Sequence, residues 1–201
     1  MAETARFPKL IAFDLDYTLW DLWIDTHVTG PLRRHKDTLN QVLDRDDQPI
    51  SFYRDIPAIF HRIRGVQLAD SPKERPFIAA CSRTHAPDLA YRCLNLLLVP
   101  PPAAPDGGGS EDSSSFSRVT PAINFFDQLE IYPGSKIKHF KKNYENTGID
   151  YADMLFFDDE IGNKEVEKLG VVFCHVPAGV NNQKFEQGLA AWRKRSATNN
   201  D

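Results

Sequence analysis

The chain is poor in the residues that build alternatives to an ordinary buried core. Of its 201 residues only three are cysteines, Cys81, Cys93 and Cys174. An odd number without metal-ligand spacing excludes a disulfide framework and a cysteine-rich zinc site. Two of the three lie in apolar runs, as reduced core thiols do. The six histidines, His27, His35, His61, His85, His139 and His175, show no ligand spacing either. Positive charge is in deficit: 24 basic residues against 28 acidic ones give a net charge of −4, with no long basic block. That balance argues against nucleic acid as a partner, and Arg193-Lys194-Arg195 reads as a solvated end. No apolar run approaches the roughly 20 residues that cross a bilayer, and Met1 to Lys9 holds no hydrophobic leader. The expectation is a soluble, cytoplasmic monomer with no membrane partner. With 41% hydrophobic residues the chain can bury one sizeable core, and one domain over 1–201 is the natural count.

What is present is a succession of short apolar runs separated by helical patterns. Residues 10–13, 77–81, 123–126 (with or without 130–132), 154–157 and 171–175 read as strands. Asp55 can cap a helix over 56–64, with Pro57 in its first turn and Gly65 just after it. Thr84 or His85 precedes a second helix that has Pro87 and Asp88 near its start. Ser135 leads into 136–146, stopped by Gly148; 163–169 is stopped by Gly170; a last helix covers 183–195. Alternation of this kind, with nearly continuous apolar strands, predicts an α/β fold. It is a Rossmann-like, doubly wound parallel sheet of about five strands with no separate cap domain. Two stretches break the pattern. Residues 100–118 (PPPAAPDGGGSEDSSSFSR) are rich in Pro, Gly and Ser and are expected as a disordered insertion loop, and 196–201 as a flexible tail. Residues 26–48 are polar and suit a flap or small hairpin.

The informative feature is how the strands end. Leu10-Ile11-Ala12-Phe13 runs into Asp14-Leu15-Asp16-Tyr17-Thr18. A buried strand does not end in two uncompensated carboxylates unless something positive sits there. Side chains at i and i+2 of an extended strand point the same way, so Asp14 and Asp16 are expected to face one site. A bound divalent cation, with an aspartate that attacks phosphorus beside it, is the economical explanation. The run 154–157 likewise ends in Asp158-Asp159-Glu160, where Asp159 serves either as a cation ligand or as a helix cap. Hard oxygen donors without cysteine or clustered histidine suit magnesium. Cys81-Ser82-Arg83-Thr84 closes the second strand with hydroxyls and a guanidinium beside free helix amides, which makes either a phosphate cradle or a simple N-cap. Lys136 opens a helix, where it opposes the dipole unless an anion shares the space; otherwise it is a solvated surface lysine.

The order acid-x-acid-x-Thr, Ser, Lys, acid-acid resembles the haloacid dehalogenase superfamily. FDLDYTLW, Trp20 and Trp23 with Asp25-Thr26-His27, Ser82-Arg83-Thr84, EIYPGSK over 130–136 and FFDDE over 156–160 resemble its small magnesium-dependent phosphatases. These form the acid phosphatase, or protein-tyrosine-phosphatase-like, branch. The resemblance covers nearly the whole chain; the insertion at 100–118 is its departure. It implies a phosphomonoester hydrolase with Mg2+ as cofactor, acting on phosphorylated small molecules or phosphoproteins. The implied substrates are phosphotyrosine-like aryl phosphates and sugar or fructosamine phosphates. Asp14 would be the nucleophile and Asp16 the proton donor. The metal would be held by Asp14, the Asp16 main-chain carbonyl and Asp159, with Asp158 behind them. The phosphoryl group would be held by the Leu15 amide, Asp16, Ser82, Arg83 and Lys136. Trp23 would contact the rest of the substrate, or would simply be core. Two other readings share the fold: a phosphate-accepting signalling receiver, whose acidic residues follow a different order along the chain, and a non-catalytic binding protein.

Overall fold

In this computed structural model of the protein, residues 6–36, 38–68, 74–102 and 118–198 are described. Five parallel strands form the central sheet: β1 (Leu10–Phe13), β2 (Phe77–Ser82), β3 (Gln128–Ile131), β4 (Met154–Asp158) and β5 (Val172–His175). Their order across the sheet is β5-β4-β1-β2-β3. The chain winds outward from β1 in one direction through β2 and β3, then returns to the other side of β1 for β4 and β5. The order therefore reverses between β1 and β4, and such a switch point opens a crevice beyond the strands' carboxyl ends. Phe13, the last residue of β1, is in register with Ala80 of β2 and Phe157 of β4. The acidic segments that follow β1 and β4 thus emerge side by side.

Period-two alternation divides the sheet between two apolar layers. Ile11, Phe13, Ile78, Ala80, Leu155 and Phe157 face one layer. It is covered by α1 (Ile56–Gly65), α2 (Pro87–Leu96) and α4 (Asn182–Thr198), through Ile59, Phe60 and Ile63, Cys93 and Leu94, and Phe185, Leu189 and Trp192. Leu10, Ala12, Ala79, Cys81, Met154 and Phe156 face the other layer, covered by α3 (Lys136–Thr147) through Phe140 and by the 3-10 turns Ile161–Leu169 through Val166. Phe157 stacks on Phe13 at 5.3 Å, and α4 approaches β4 so closely that a Cβ on Gly188 would lie 2.5 Å from the Phe157 ring.

Several expectations shift. The apolar run at 123–126 is no strand: Ala122–Phe125 is a 3-10 turn that tucks Phe125 against Phe60, and the ladder forms at Gln128–Ile131. Asp55 precedes α1 without a side-chain cap; its carboxylate instead accepts the Asn182 amide at the start of α4. Residues 26–48 form more than a hairpin. A short helix (Ile24–His27) is followed by a three-stranded antiparallel meander of Arg33–Arg34, Val42–Leu43 and Pro49–Ile50. Leu32, Val42, Ile50 and Phe52 join the core under α1 rather than making a core of their own. Leu98–Val99 pairs with Thr120–Pro121 at the base of the expected insertion loop, whose residues 103–117 lie outside the described residues. The last helix runs to Thr198, past Arg195; of the expected tail, 199–201 lie outside the described residues. No helix among the described residues is long and apolar enough to cross a membrane.

Candidate active site

Beyond the carboxyl ends of β1, β2 and β4 lies a cavity of about 610 Å3. Asp14, Asp16, Ser82, Lys136 and Asp159 line its floor, and Trp23, Asp25, Thr26, Arg83, His85, Glu160 and Glu165 its mouth. Each arrives there for a local reason. Asp14 continues β1 by one residue, its amide donating to the Phe157 carbonyl at 2.9 Å. The chain then leaves the strand: Leu15 O accepts the Thr18 and Leu19 amides, and Tyr17 takes a positive φ of 50°. The two aspartates face one cavity, as expected, but with different partners. Asp14 turns to Lys136, while the Trp20 indole donates to Asp16 Oδ1 at 2.7 Å.

Lys136 is the first residue of α3, whose N-cap Ser135 accepts the Lys138 amide. It is no surface lysine. Its side chain is buried, with Nζ 2.6 Å from Asp14 Oδ1 and 3.0 Å from Asp158 Oδ2, and it also donates to the Cys81 carbonyl. Burial pulls its pKa down, yet the Asp14 and Asp158 carboxylates outweigh that and leave it raised. Asp158 is fully enclosed: Asn163 Nδ2 donates to both its oxygens at 2.9 Å, and the Glu160 amide donates to Oδ1 at 2.8 Å. Asp159 is half-buried, its amide donating to Thr18 Oγ1 at 3.1 Å. Asp14, Asp158 and Asp159 each present an oxygen within 4.8 Å of the other two. The Asp16 carboxylate is not in that set.

Concentrated acid in a poorly hydrated place raises carboxyl pKa values. Burial pushes Asp14 up, against the pull of Lys136. It takes Asp16 to about 6 despite the Trp20 hydrogen bond, and Asp159 to about 6. Asp16 therefore has the acidity of a group that can give and take a proton near neutral pH.

Opposite the acids, Ser82 is buried at the end of β2, its Oγ accepting the Thr84 amide at 3.3 Å. Arg83 reaches Asn163 Oδ1 at 3.1 Å and Glu160 at 3.6 Å. Leu15 buries its side chain in the core, so only its main chain can serve the cavity. Trp23 is 48% exposed at the mouth, stacked on His27 with Tyr17 edge-on to both. The sequence reading did not single out Asn163, Glu165 or the Trp20–Asp16 contact. Asn163 alone had a signal available, standing just after an acidic strand end where the chain turns back over the sheet.

The Acid Phosphatase family matches residues 6–195. A HAD-like hydrolase superfamily protein of Schizosaccharomyces pombe is 42% identical over 173 residues, 86% of this chain and 88% of that one. Magnesium-dependent phosphatase 1 of Homo sapiens is 37% identical over 191 residues, 94% of this chain and 90% of that one. Among solved structures, the N-terminal part of a Bacteroides fragilis protein, containing a phosphatase domain complexed with Mg, shares the fold. It aligns at a TM-score of 0.50 and 13% identity over 95% of this chain and 40% of that one. Matched over nearly its whole length, the chain belongs to the acid phosphatase family of haloacid-dehalogenase-like hydrolases.

Proposed function

We propose that this chain is a magnesium-dependent phosphomonoester hydrolase that works through an aspartyl-phosphate on Asp14. The observation that carries the reading is the convergence of Asp14, Asp159 and the buried Lys136 on the floor of a cavity at the sheet's switch point, with the Asp158 carboxylate directly behind them. The donor set is all hard oxygen, without sulfur or imidazole, and so suits magnesium. Asp14 and Asp159 would hold the ion together with the Asp16 main-chain carbonyl. Asp158 already accepts from Lys136, Asn163 and the Glu160 amide, and it would act from behind. When bound, the ion supplies neutralisation of the carboxylates and of the incoming phosphate dianion.

Asp14 attacks phosphorus in line with the leaving oxygen, forming the acyl phosphate as the ester P–O bond breaks. Asp16 gives its proton to that oxygen. The Asp16 carboxylate then takes a proton from water, which attacks phosphorus and returns Asp14 as carboxylate and phosphate as product. The Trp20 indole and the Ile24 amide hold the Asp16 carboxylate in place for this transfer. Ser82, Arg83, Lys136 and the Leu15 amide hold the phosphoryl oxygens where charge develops.

The substrates are aryl phosphates of the phosphotyrosine type and sugar or fructosamine phosphates. Repair of phosphorylated sugars is the first choice of role and phosphoprotein dephosphorylation the second. The support is the shape of the cavity: its volume exceeds what a phosphoryl group needs, and Trp23 at its mouth is half exposed. Trp23 and Arg83 at that mouth supply stacking and polar contacts to whatever the phosphate is attached to. Turnover of an aryl phosphate with added magnesium, reversal by chelator, and then a panel of phosphometabolites and phosphopeptides test the reading. No metal-restorable turnover would sink the activity. Preference for one small metabolite by several orders of magnitude, without aryl phosphatase activity, would sink the open-site substrate class.

A further inference from the structure

His175 ends the edge strand β5 and is paired in register with Asp158. Its ring, partly buried and stacked near Phe173, reaches across the strand end to the turn that follows β4. Nε2 lies 2.7 Å from the Asp159 main-chain oxygen. A carbonyl can only accept, so Nε2 carries the proton and donates. The other polar atoms around Asp159 are also held. The Asp158 carbonyl accepts the Val176 amide at 2.9 Å, the Asp159 amide donates to Thr18 Oγ1 at 3.1 Å, and the Glu160 amide donates to Asp158 Oδ1 at 2.8 Å. Both peptide planes flanking Asp159 are therefore pinned, and those planes set the direction of its Cα–Cβ bond. Of the four ties, the one at the Asp159 carbonyl comes from a side chain of another strand. Without it, the second plane is held only by the bond from the Glu160 amide to Asp158 Oδ1.

We propose that His175 is a positioning residue. It locks the Asp159 peptide so that the carboxylate stays directed at Asp14 and Asp158, and it thereby sets the affinity of the site for a divalent cation. This rests on the magnesium-site reading above. The contact needs one donor at one height: the terminal amide of a glutamine can take the place of Nε2, whereas that of an asparagine reaches only as far as Nδ1. A role confined to filling space would not distinguish the two.

The test uses the full chain, its His175→Ala, His175→Gln and His175→Asn variants, and Mg2+ itself, titrated calorimetrically into chelator-stripped protein. Contacts behind a metal ligand typically govern about 10-fold to 100-fold in metal affinity. His175→Ala and His175→Asn should therefore raise the Mg2+ dissociation constant by about 10-fold or more, and His175→Gln should recover most of the loss. The Mg2+ concentration giving half-maximal turnover should move in step, while kcat at saturating Mg2+ stays near the parent value. Parent-like Mg2+ binding by His175→Ala overturns the proposal. So do equal behaviour of the Gln and Asn variants and a fall in kcat with metal affinity unchanged. Should His175→Ala fail to fold, the Gln–Asn contrast decides alone. A parent chain that binds no Mg2+ would instead remove the reading on which the proposal rests.

Discussion

Acidification should unfold this protein partly through a residue that never touches the cavity. His139 lies one turn beyond Lys136 on α3, buried, its Nε2 donating to the Tyr132 carbonyl at 3.0 Å and its ring edge-on to Tyr132. Nδ1 is buried without a hydrogen-bond partner. Burial, with the Lys136 charge behind it, pushes the His139 pKa from its ordinary 6.5 down to about 4. The folded protein thus holds the ring neutral, while the unfolded chain binds a proton near pH 6.5. Stability from this group is full above pH 6.5 and is lost as pH falls towards 4, because the unfolded state binds more protons in that window. The gap from 6.5 to about 4, at 1.36 kcal/mol per pH unit, amounts to about 3 kcal/mol. His139→Gln keeps a donor for the Tyr132 carbonyl and removes the titration. Urea unfolding of parent and variant in chelator, from neutral pH down to pH 4, gives the difference in stability; the site carboxylates titrate in both and cancel. The parent should lose about 3 kcal/mol relative to the variant across that window. A difference that stays flat with pH would refute the argument.

Asp16→Asn should slow turnover by about a hundredfold or more, the scale of general acid-base catalysis, and should hurt alkyl phosphates more than a nitrophenyl ester, whose leaving group needs no proton. Equal losses for both would contradict a donor role. Lys136→Met leaves Asp14 and Asp158 facing each other in a buried place, so in chelator it should lower unfolding stability by about 3–5 kcal/mol. Magnesium should return part of that stability but not the turnover; an unchanged urea midpoint would show that the ion pairs contribute nothing. Gly188→Ala drives a methyl into the Phe157 ring at 2.5 Å and should cost about 1–3 kcal/mol by thermal or urea unfolding, with parent-like stability as the contrary result.

The sequence carried the fold where a strand is an apolar run with elements packed on both sides of the sheet. β1, β2, β4 and β5 are near-continuous apolar runs because helices cover both faces, and their bounds agree with the expected ones to within a residue. The edge strand β3 was located only in part: the expected strand lay at 123–126, with or without 130–132, whereas the ladder runs over Gln128–Ile131. Half-buried and alternating as Gln-Leu-Glu-Ile, it lacks the apolar run that the neighbouring turn displays in Phe125 and Phe126. The acidic strand ends stood out because apolar-to-charged boundaries are abrupt and costly to leave uncompensated. Lys136 and Trp23 stayed ambiguous in one dimension, since a lysine at a helix start and a tryptophan beside a turn can each face either way; burial separates them. Asp55 capping α4 rather than α1, Asn163 bridging Asp158 and Arg83, and His175 gripping the Asp159 carbonyl are relations between distant elements. Spacing along the chain does not record them.

The central claim is that Asp14 carries the phosphoryl group. In the Asp16→Asn variant the second step loses its base, so a phosphoenzyme formed with a nitrophenyl ester and magnesium should outlast an acid quench. Mass spectrometry of the quenched, digested protein is the direct measurement. The account predicts one phosphoryl group per chain on Asp14, matched by one equivalent of nitrophenol released. Nitrophenol release without phosphorylation of Asp14, or phosphorylation at another residue, would contradict it.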